Sequence, residues 1–489
     1  MPKLLSKSRY LNGLQCAKLL WHAVNRREEF PEPGAAQQAI FDQGHEVGEL
    51  AKQLFPGGIE VSGGPLDLQA TLSETQRLLS RRVPLYEAAF QHGNAYARAD
   101  ILVPVGKNRW DVHEVKSSSS LKDVNLDDIA FQSVVYRKSG LDVRRCHLVH
   151  INGEYERRGE VNPRGLFKVV DVTRDIADRV VPVESRIAEM EAVIARAASP
   201  EVTIGPHCSD PYDCPLRERC WDFLPEHNVF DLYRGGKKSW KFFSAGTHAI
   251  GDVDAGSLND KQTIQQAAVQ SGEPRLNLPG LRKFLRKLKY PLYFLDFETF
   301  ATAIPLFDGV RPYRPIPFQF SQHVQREPGG KLEHHGFLAE GPGDPRPDFM
   351  ARLRPVLDDR GNIVVYNASF EVGRLREGAE FLPEYRSWVK GVEKRIVDLL
   401  VPFRAFDYHH PDQHGSASIK AVLPALTGRG YNELTIKEGG TASLEFLRVT
   451  YQNVAARERT RMRRALERYC ARDTEAMVWI VEELRRLSA

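Results

Sequence analysis

With 489 residues the chain is too long for one ordinary core, so two or three domains are expected. A hydrophobic share of 42% and a charged share of 27% are those of a globular protein, and no apolar run is long enough to cross a bilayer, which excludes a helical membrane protein. A formal net charge of +4 is too small to establish a nucleic-acid partner by itself, although the basic run from Arg282 to Lys289 has the composition either to meet phosphates or to form a solvated helix face. The first 22 residues are basic but contain no sustained apolar stretch or small-residue cleavage site, which predicts a cytoplasmic setting. In a reducing compartment the six cysteines are expected to be metal ligands or buried thiols and not disulfides.

In chain order, Pro84 to Phe90, Ala95 to Val103 and Arg109 to Lys116 read as a strand meander, with turn signals at His92-Gly93-Asn94 and Gly106-Lys107-Asn108. Leu126 to Lys138 reads as a helix, Cys146 to Ile151 as a strand, and Ile176 to Ala198 as one long amphipathic helix. Residues 1–224 therefore predict an α/β core. Residues 225–285 lose clear periodicity and gather Gly, Ser, Asn and Pro, the composition of a connecting region with some helix. Residues 286–489 open on the apolar strand around Tyr293 to Glu298, followed by strands over Pro317 to Val324 and Leu332 to Leu338. A helix near Phe349 to Leu357, a strand from Ile363 to Tyr366, and helices near 371–380, 416–426 and 456–487 complete a second α/β core.

Glu114 and Lys116 flank Val115 on a predicted strand, so their side chains share a face, and the preceding strand can bring Asp100 beside them. Two carboxylates can hold a hard divalent ion that retains several waters, and such an ion acidifies a water and offsets charge on a phosphodiester. Lys116 would orient that water or stabilise the transition state. Downstream, Gln132 and Tyr136 stand four apart on one face of the predicted helix. This combination resembles the RecB-like branch of the PD-(D/E)XK nucleases, whose helix carries a Q-x-x-x-Y motif, and in particular its iron-sulfur members, such as AddB and the CRISPR-associated spacer-acquisition exonucleases. The resemblance implies a restriction-endonuclease-like fold in which Asp100, Glu114 and Lys116 are catalytic, Gln132 and Tyr136 lie beside a DNA strand, and His45, in Gly44-His45-Glu46, is an upstream catalytic and metal-binding residue.

Cys208, Cys214 and Cys220 stand at equal intervals, C-x5-C-x5-C, while Cys16 lies far upstream on the other side of the carboxylate motif. By the same resemblance these four would ligate a 4Fe-4S cluster that staples the domain together. Zinc or buried free thiols are the alternatives, although zinc ligands usually come as close C-x2-C-type pairs. Cys146 and Cys470 fit no ligand pattern and are expected to be buried small hydrophobes.

In the second half, Asp296 and Glu298 form a D-x-E pair at the end of an apolar strand, the geometry needed to bind divalent ions. Asn367 to Glu371 leaves a second strand for a helix, and Tyr469 and Asp473 are neighbours on the last helix. Order and spacing resemble the DEDD superfamily of 3'-to-5' exonucleases, in its Y-x-x-x-D variant. The resemblance implies an RNase H-like fold in which Asp296, Glu298 and Asp473 bind two Mg2+ or Mn2+ ions and Tyr469 positions the attacking water. Glu371 departs from the family pattern, which has aspartate there. It would serve as a longer-armed ligand, Asp398 would partly compensate, or the site would be slow.

The pairing of the two motifs also resembles a group of bacterial proteins that fuse a RecB-like nuclease to an RNase H-like exonuclease. Together the resemblances imply a metal-dependent nuclease with two active sites, cutting DNA, single-stranded or at ends, at the first and trimming 3' ends of DNA or RNA at the second. The alternative is a nucleic-acid-binding scaffold in which only the N-terminal site is active.

Overall fold

The computed structural model describes residues 3–32, 34–63 and 67–489. The chain divides into two compact units, Met1–Asp222 with Thr302–Arg314, and Phe223–Ala301 with Pro315–Ala489.

The first unit contains β1 (Leu5–Ser6), β2 (Ile59–Glu60), β3 (Leu85–His92), β4 (Ala95–Val105), β5 (Arg109–Lys116), β6 (Val143–Ile151) and β7 (Phe167–Asp171). They form one sheet in the order β2-β3-β4-β5-β6-β7, with β1 pairing parallel to β4. The meander β3-β4-β5 is antiparallel, and β5 runs parallel to β6. Parallel neighbours need a crossover, supplied here by the helix Asp123–Lys138. Phe131 and Val135 of that helix pack with Phe90, Leu102 and Leu148 of the sheet. The expected single helix over 176–198 is two, Ala177–Val180 and Val183–Ile194, separated around Pro182, which has no N–H to continue the ladder.

A second apolar cluster in this unit joins Val47 and Ala51 of the helix Ala35–Lys52 to Ile101, Val149 and Ile151. Ala303 is buried in that same cluster, and Ile304 and Tyr313 pack on it. Arg157 binds the segment by backbone and side chain: its N–H donates to Val310 O at 3.1 Å, its carbonyl accepts from Gly309 at 2.9 Å, and its guanidinium donates to the carbonyls of Pro305 and Leu306. Tyr313 donates to the carbonyl of Ser117, the residue after Lys116. Thirteen residues from the second half of the sequence, 302–314, thus complete the first unit.

The second unit contains β8 (Arg275–Leu276), β9 (Leu292–Phe300), β10 (Ile316–Gln325), β11 (Leu332–Leu338), β12 (Asn362–Val365), β13 (Ile396–Asp398) and β14 (Tyr408–His409). The main sheet has the order β11-β10-β9-β12-β13, antiparallel across β9-β10-β11 and parallel across β9-β12-β13. Tyr293, Leu295 and Phe297 share one face and pack with Phe349, Leu353 and Leu375. The alternate residues Asp296, Glu298 and Phe300 share the other face, where Phe446 stacks on Phe300 and Phe318, with ring centroids 5.6 and 4.0 Å away. Residues 225–285, expected to be a connecting region, fold within this unit. Val229, Leu232, Ile250 and Val253 bury an apolar cluster there, helped by the helices Lys237–Ser244 and Asp260–Ser271. Among the described residues no helix is long and apolar enough to cross a membrane.

Candidate functional site

Asp100 lies on β4 one position beyond the Ile101–His113 pair, which sets it against Glu114 across the two strands. Asp100 Oδ2 accepts the N–H of Val115 at 2.7 Å. Lys116 Nζ donates to Glu114 Oε1 at 2.7 Å and to Asp128 Oδ2 at 2.7 Å. Lys7 Nζ reaches Glu114 Oε1 at 2.8 Å and lies 3.9 Å from Asp100 Oδ1. Burial and the Glu114 charge push the Asp100 carboxyl up to about 7. For Glu114 burial opposes ionisation, but Lys116 and Lys7 outweigh it and hold the group well below the usual carboxylate range. Its second oxygen, Oε2, is buried with no hydrogen-bond partner among the described residues, so a donor position remains for an ion.

Gln132 and Tyr136, expected beside a nucleic-acid strand, are both 0% exposed. They belong instead to an internal relay: Tyr136 Oη donates to Gln132 Oε1 at 2.6 Å, and Gln132 Nε2 donates to Asp128 Oδ1 at 2.9 Å, which fixes the carboxylate that grips Lys116. Their burial has a simple cause, because nearly every turn of the helix Asp123–Lys138 is enclosed between the sheet and neighbouring helices. Asp128 went unnoticed in the sequence, although it stands four residues before Gln132 on the same helical face. Lys7 carried no sequence signal, since it meets Glu114 across 107 positions. His45 is exposed on the helix Ala35–Lys52, with no hydrogen bond or ion pair to the carboxylates among the described residues.

All six cysteines are free thiols, and four of them, Cys16, Cys208, Cys214 and Cys220, line one small cavity together with Lys18 and Arg217. Cys16 has an extended backbone at the break between the helices Lys7–Gln15 and Ala17–Asn25. Next to it, Gln15 Nε2 donates to the carbonyls of His207 and Tyr212, tying the two distant parts of the chain together. Burial and the other three sulfurs push the Cys214 thiol up to about 11. Four crowded sulfur donors with two cations at the rim fit a thiolate-bound cluster, which would need all four deprotonated and would compensate their charge.

In the second unit, Asp296, Glu298 and Cys470 offer ligand atoms within 4.8 Å of one another. Cys470 is buried as expected, but it is no bystander: its sulfur lies 3.9 Å from Asp296 Oδ2. Asp473 Oδ1 accepts from Tyr431 Oη at 2.5 Å, and Tyr469 also donates to Asp473. Lys420 lies over the rings of Tyr469 and Tyr431, 5.5 and 5.8 Å from their centroids. Gly439 opens the helix Gly439–Tyr451 so close to the site that a Cβ there would be 3.5 Å from Glu298 Oε2.

Burial raises every acid of this cluster, and neighbouring carboxylates add to it at Asp296, Glu298 and Glu371. Asp296 is held well above the usual range by burial, then by Asp473, Glu298 and Glu371. Burial and Asp473 push Glu298 to about 8, and burial raises Asp473 to about 6 against the pull of its tyrosine hydrogen bonds and Lys420. Glu371, on the helix Ala368–Phe381 that follows β12, is 1% exposed, raised to about 8 by burial, and has no partner for Oε2 among the described residues. Asp398 is engaged otherwise: its Oδ1 accepts the N–H groups of Asn367 and Leu400, both at 3.0 Å. That bond steadies Asn367 at φ +80, a left-handed conformation that asparagine tolerates and that turns the chain from strand into helix. Several buried acids with raised pKa values and unfilled oxygens fit a divalent-ion site, since an ion stabilises the ionised forms that burial penalises.

Residues 293–418 match a family described as Domain of unknown function (DUF2779). The match includes Asp296, Glu298 and Glu371 and ends before Tyr469 and Asp473. The chain is 27% identical over 224 residues to the Uncharacterized protein MG366 homolog of Mycoplasma pneumoniae, covering 40% of this chain and 32% of the relative. It is 27% identical over 213 residues to Uncharacterized protein MG366 of Mycoplasma genitalium, with the same coverage of 40% and 32%. It is 25% identical over 224 residues to Uncharacterized protein UU173 of Ureaplasma parvum, covering 41% of this chain, and the chain spans about a third, 32%, of the length of each of these relatives.

Proposed function

We propose that the chain is a metal-dependent nuclease with two active sites, cutting DNA at Asp100, Glu114 and Lys116 and trimming 3' ends of DNA or RNA at Asp296, Glu298 and Asp473. The observation that carries this reading is the convergence of the buried acids Asp296, Glu298 and Asp473, whose neighbouring cations are Lys420 and Arg472. Acids that burial and one another keep above their usual pKa values are poised for divalent ions. Further support comes from topology: the sheet order β11-β10-β9-β12-β13, with D-x-E on its central strand and the Tyr469–Asp473 pair on the last helix, resembles RNase H-like exonucleases. In the first unit, the meander, crossover helix and parallel strand resemble the PD-(D/E)XK core.

Asp296, Glu298, Asp473 and Glu371 would hold Mg2+ or Mn2+, which acidifies a water and offsets charge on the phosphodiester. The protein's own groups do the rest. The Tyr469 hydroxyl, bonded to Asp473, would orient the attacking water, and the Lys420 ammonium over the Tyr469 ring would face the charge that develops on phosphate oxygens. At the first site Glu114 and Asp100 would hold the ion, while Asp128 and the Gln132–Tyr136 relay keep Lys116 aimed at the reacting phosphate. Cys16, Cys208, Cys214 and Cys220 would hold a 4Fe-4S cluster with a structural role.

End-labelled single- and double-stranded DNA and RNA, assayed with Mg2+ and Mn2+, test the reading. Asp296→Ala and Asp473→Ala are expected to remove 3' trimming and spare the other activity, and Asp100→Ala and Lys116→Ala the reverse. A double variant Asp100→Ala, Asp296→Ala that degrades every substrate at the wild-type rate sinks both assignments. Dependence on Asp100 alone would make the second unit a binding scaffold.

A further inference from the structure

The helix Ala456–Ser488 carries Arg457, Arg461, Arg464 and Arg468 at intervals of four, three and four residues, so all four lie on one face. They line one side of an open groove of about 550 Å³, within the ~300–1,000 Å³ range of ligand sites. Other arginines of this helix are tied to the protein: Arg459 to Val449 O, Arg463 to Ala339 O and Arg472 to Gly430 O. Arg461 is paired with Glu458. Arg457, Arg464 and Arg468 are exposed and make no hydrogen bond or ion pair among the described residues. The acid on the opposite wall, Glu433, is already paired with Arg472. Three unpaired guanidinium groups of the row, those of Arg457, Arg464 and Arg468, are therefore left facing the concavity for an external anion.

The opposite wall is residues 433–435. The same loop carries Tyr431, which donates to Asp473, and leads to Gly439 beside Glu298. Groove and carboxylate site thus share a wall, and the arginine row ends one residue before Tyr469. At 1.5 Å of rise per residue the row is ~17 Å long. That matches roughly five nucleotides of a stacked strand at ~3.4 Å each. A single row on one helix follows one backbone, and with Glu433, Leu434, Thr435, Thr460 and Ala465 as the other lining groups no aromatic or amide side chain among the described residues lines the groove to read bases.

We infer that this groove holds the sugar-phosphate backbone of a single-stranded nucleic acid whose 3' end enters the Asp296–Glu298–Asp473 site, an inference that rests on the nuclease reading of that site. Binding through the groove is insensitive to base sequence and strongly dependent on salt.

The test uses the full chain in EDTA, where nothing is hydrolysed, with fluorescent single strands of about twelve nucleotides, within the usual site sizes of such grooves. In a salt series, Arg464→Glu with Arg468→Glu is expected to weaken binding about tenfold or more and to flatten the log-affinity against log-salt slope by ~1.4, at ~0.7 per phosphate contact. Arg464→Lys with Arg468→Lys keeps the charge and is expected to retain most of the affinity. A bromodeoxyuridine-containing strand is expected to photo-cross-link to peptides within 433–435 or 457–468. Wild-type affinity and slope in the glutamate variant, absence of that cross-link, or a wild type that binds no strand overturns the groove. So does competition by inorganic phosphate as strong, per phosphate, as that of the strand. A wild type that binds through these arginines yet hydrolyses nothing sinks the nuclease reading and leaves the groove standing. Hydrolysis that persists while the glutamate variant binds normally does the opposite.

Discussion

At the first carboxylate site Lys7 and Lys116 grip Glu114 from two sides, whereas at the second site Asp296, Glu298, Asp473 and Glu371 meet with Lys420 nearby. The consequence is opposite pKa behaviour for buried glutamates of similar burial: Glu114 is driven down, and Glu298 and Glu371 are driven up to about 8. The first site carries its counter-charges on its own strands and helices, so its ionised glutamate is compensated within the fold. The second favours the protonated forms of its acids, and on the proposed reading a divalent ion would take the place of those protons.

The largest effect that separates the two units is expected at the cysteines. Cys214→Ala removes one of the four sulfurs lining the cavity and should abolish the Asp100-dependent activity while the Asp296-dependent activity survives. Anaerobic protein should be brown with about four irons per chain, the content of a single such cluster. A colourless zinc protein, or equal loss of both activities, would break the comparison.

Next comes Lys7→Met, which strips one of the two ammonium groups from the buried Glu114. Loss of a partner from a buried pair costs ~3–5 kcal/mol, and because Lys116 remains the expected cost is about 3 kcal/mol. Urea unfolding followed by first-unit probes should show it, and an unchanged midpoint would mean that Lys116 alone suffices.

Mn2+ should then protect the second unit, by about 2.7 kcal/mol at a hundredfold excess over its dissociation constant. Asp296→Ala should remove this protection and Asp100→Ala should leave it.

The smallest effect concerns pH. Glu371 has a folded pKa near 8 and, when unfolded, one of ~4.3, so the neutral form is favoured by folding. Its contribution to stability is full below about pH 4 and is lost as pH rises toward 8. Glu371→Gln should therefore raise the melting temperature at pH 8 in EDTA by a few degrees, with little change at pH 4. A destabilising effect at pH 8 would show that Glu371 is charged and paired.

Much of this was legible in residue patterns. Alternation along Arg109 to Lys116 and Tyr293 to Glu298 gave strands and placed Glu114 with Lys116, and Asp296 with Glu298, on one face, and four-residue spacing put Tyr469 with Asp473. Side chains that come from far away in sequence were invisible: Lys7 reaches Glu114 from an unrelated helix, and Lys420 and Tyr431 reach the second site from a loop and helix with no motif of their own. Gln132 and Tyr136 show a different limit. Their spacing located them correctly, but only packing reveals that they are sealed inside and act through Asp128. The Gly- and Ser-rich stretch after 225 concealed Val229, Leu232, Ile250 and Val253, which lack any regular period yet bury a shared cluster.

Residues 302–314 give the first unit a calendar. Because a chain is synthesised from its N-terminus, the pieces that Ala303, Ile304 and Tyr313 add to the second apolar cluster of the first unit leave the ribosome only after β9 of the second unit has been made. A gene cut near codon 224 would encode every proposed catalytic residue and every cysteine of the first unit and still lack the segment that Arg157 binds and the hydroxyl that meets the Ser117 carbonyl next to Lys116. Supplying 302–314 as a separate peptide is the direct way to restore what such a truncation omits.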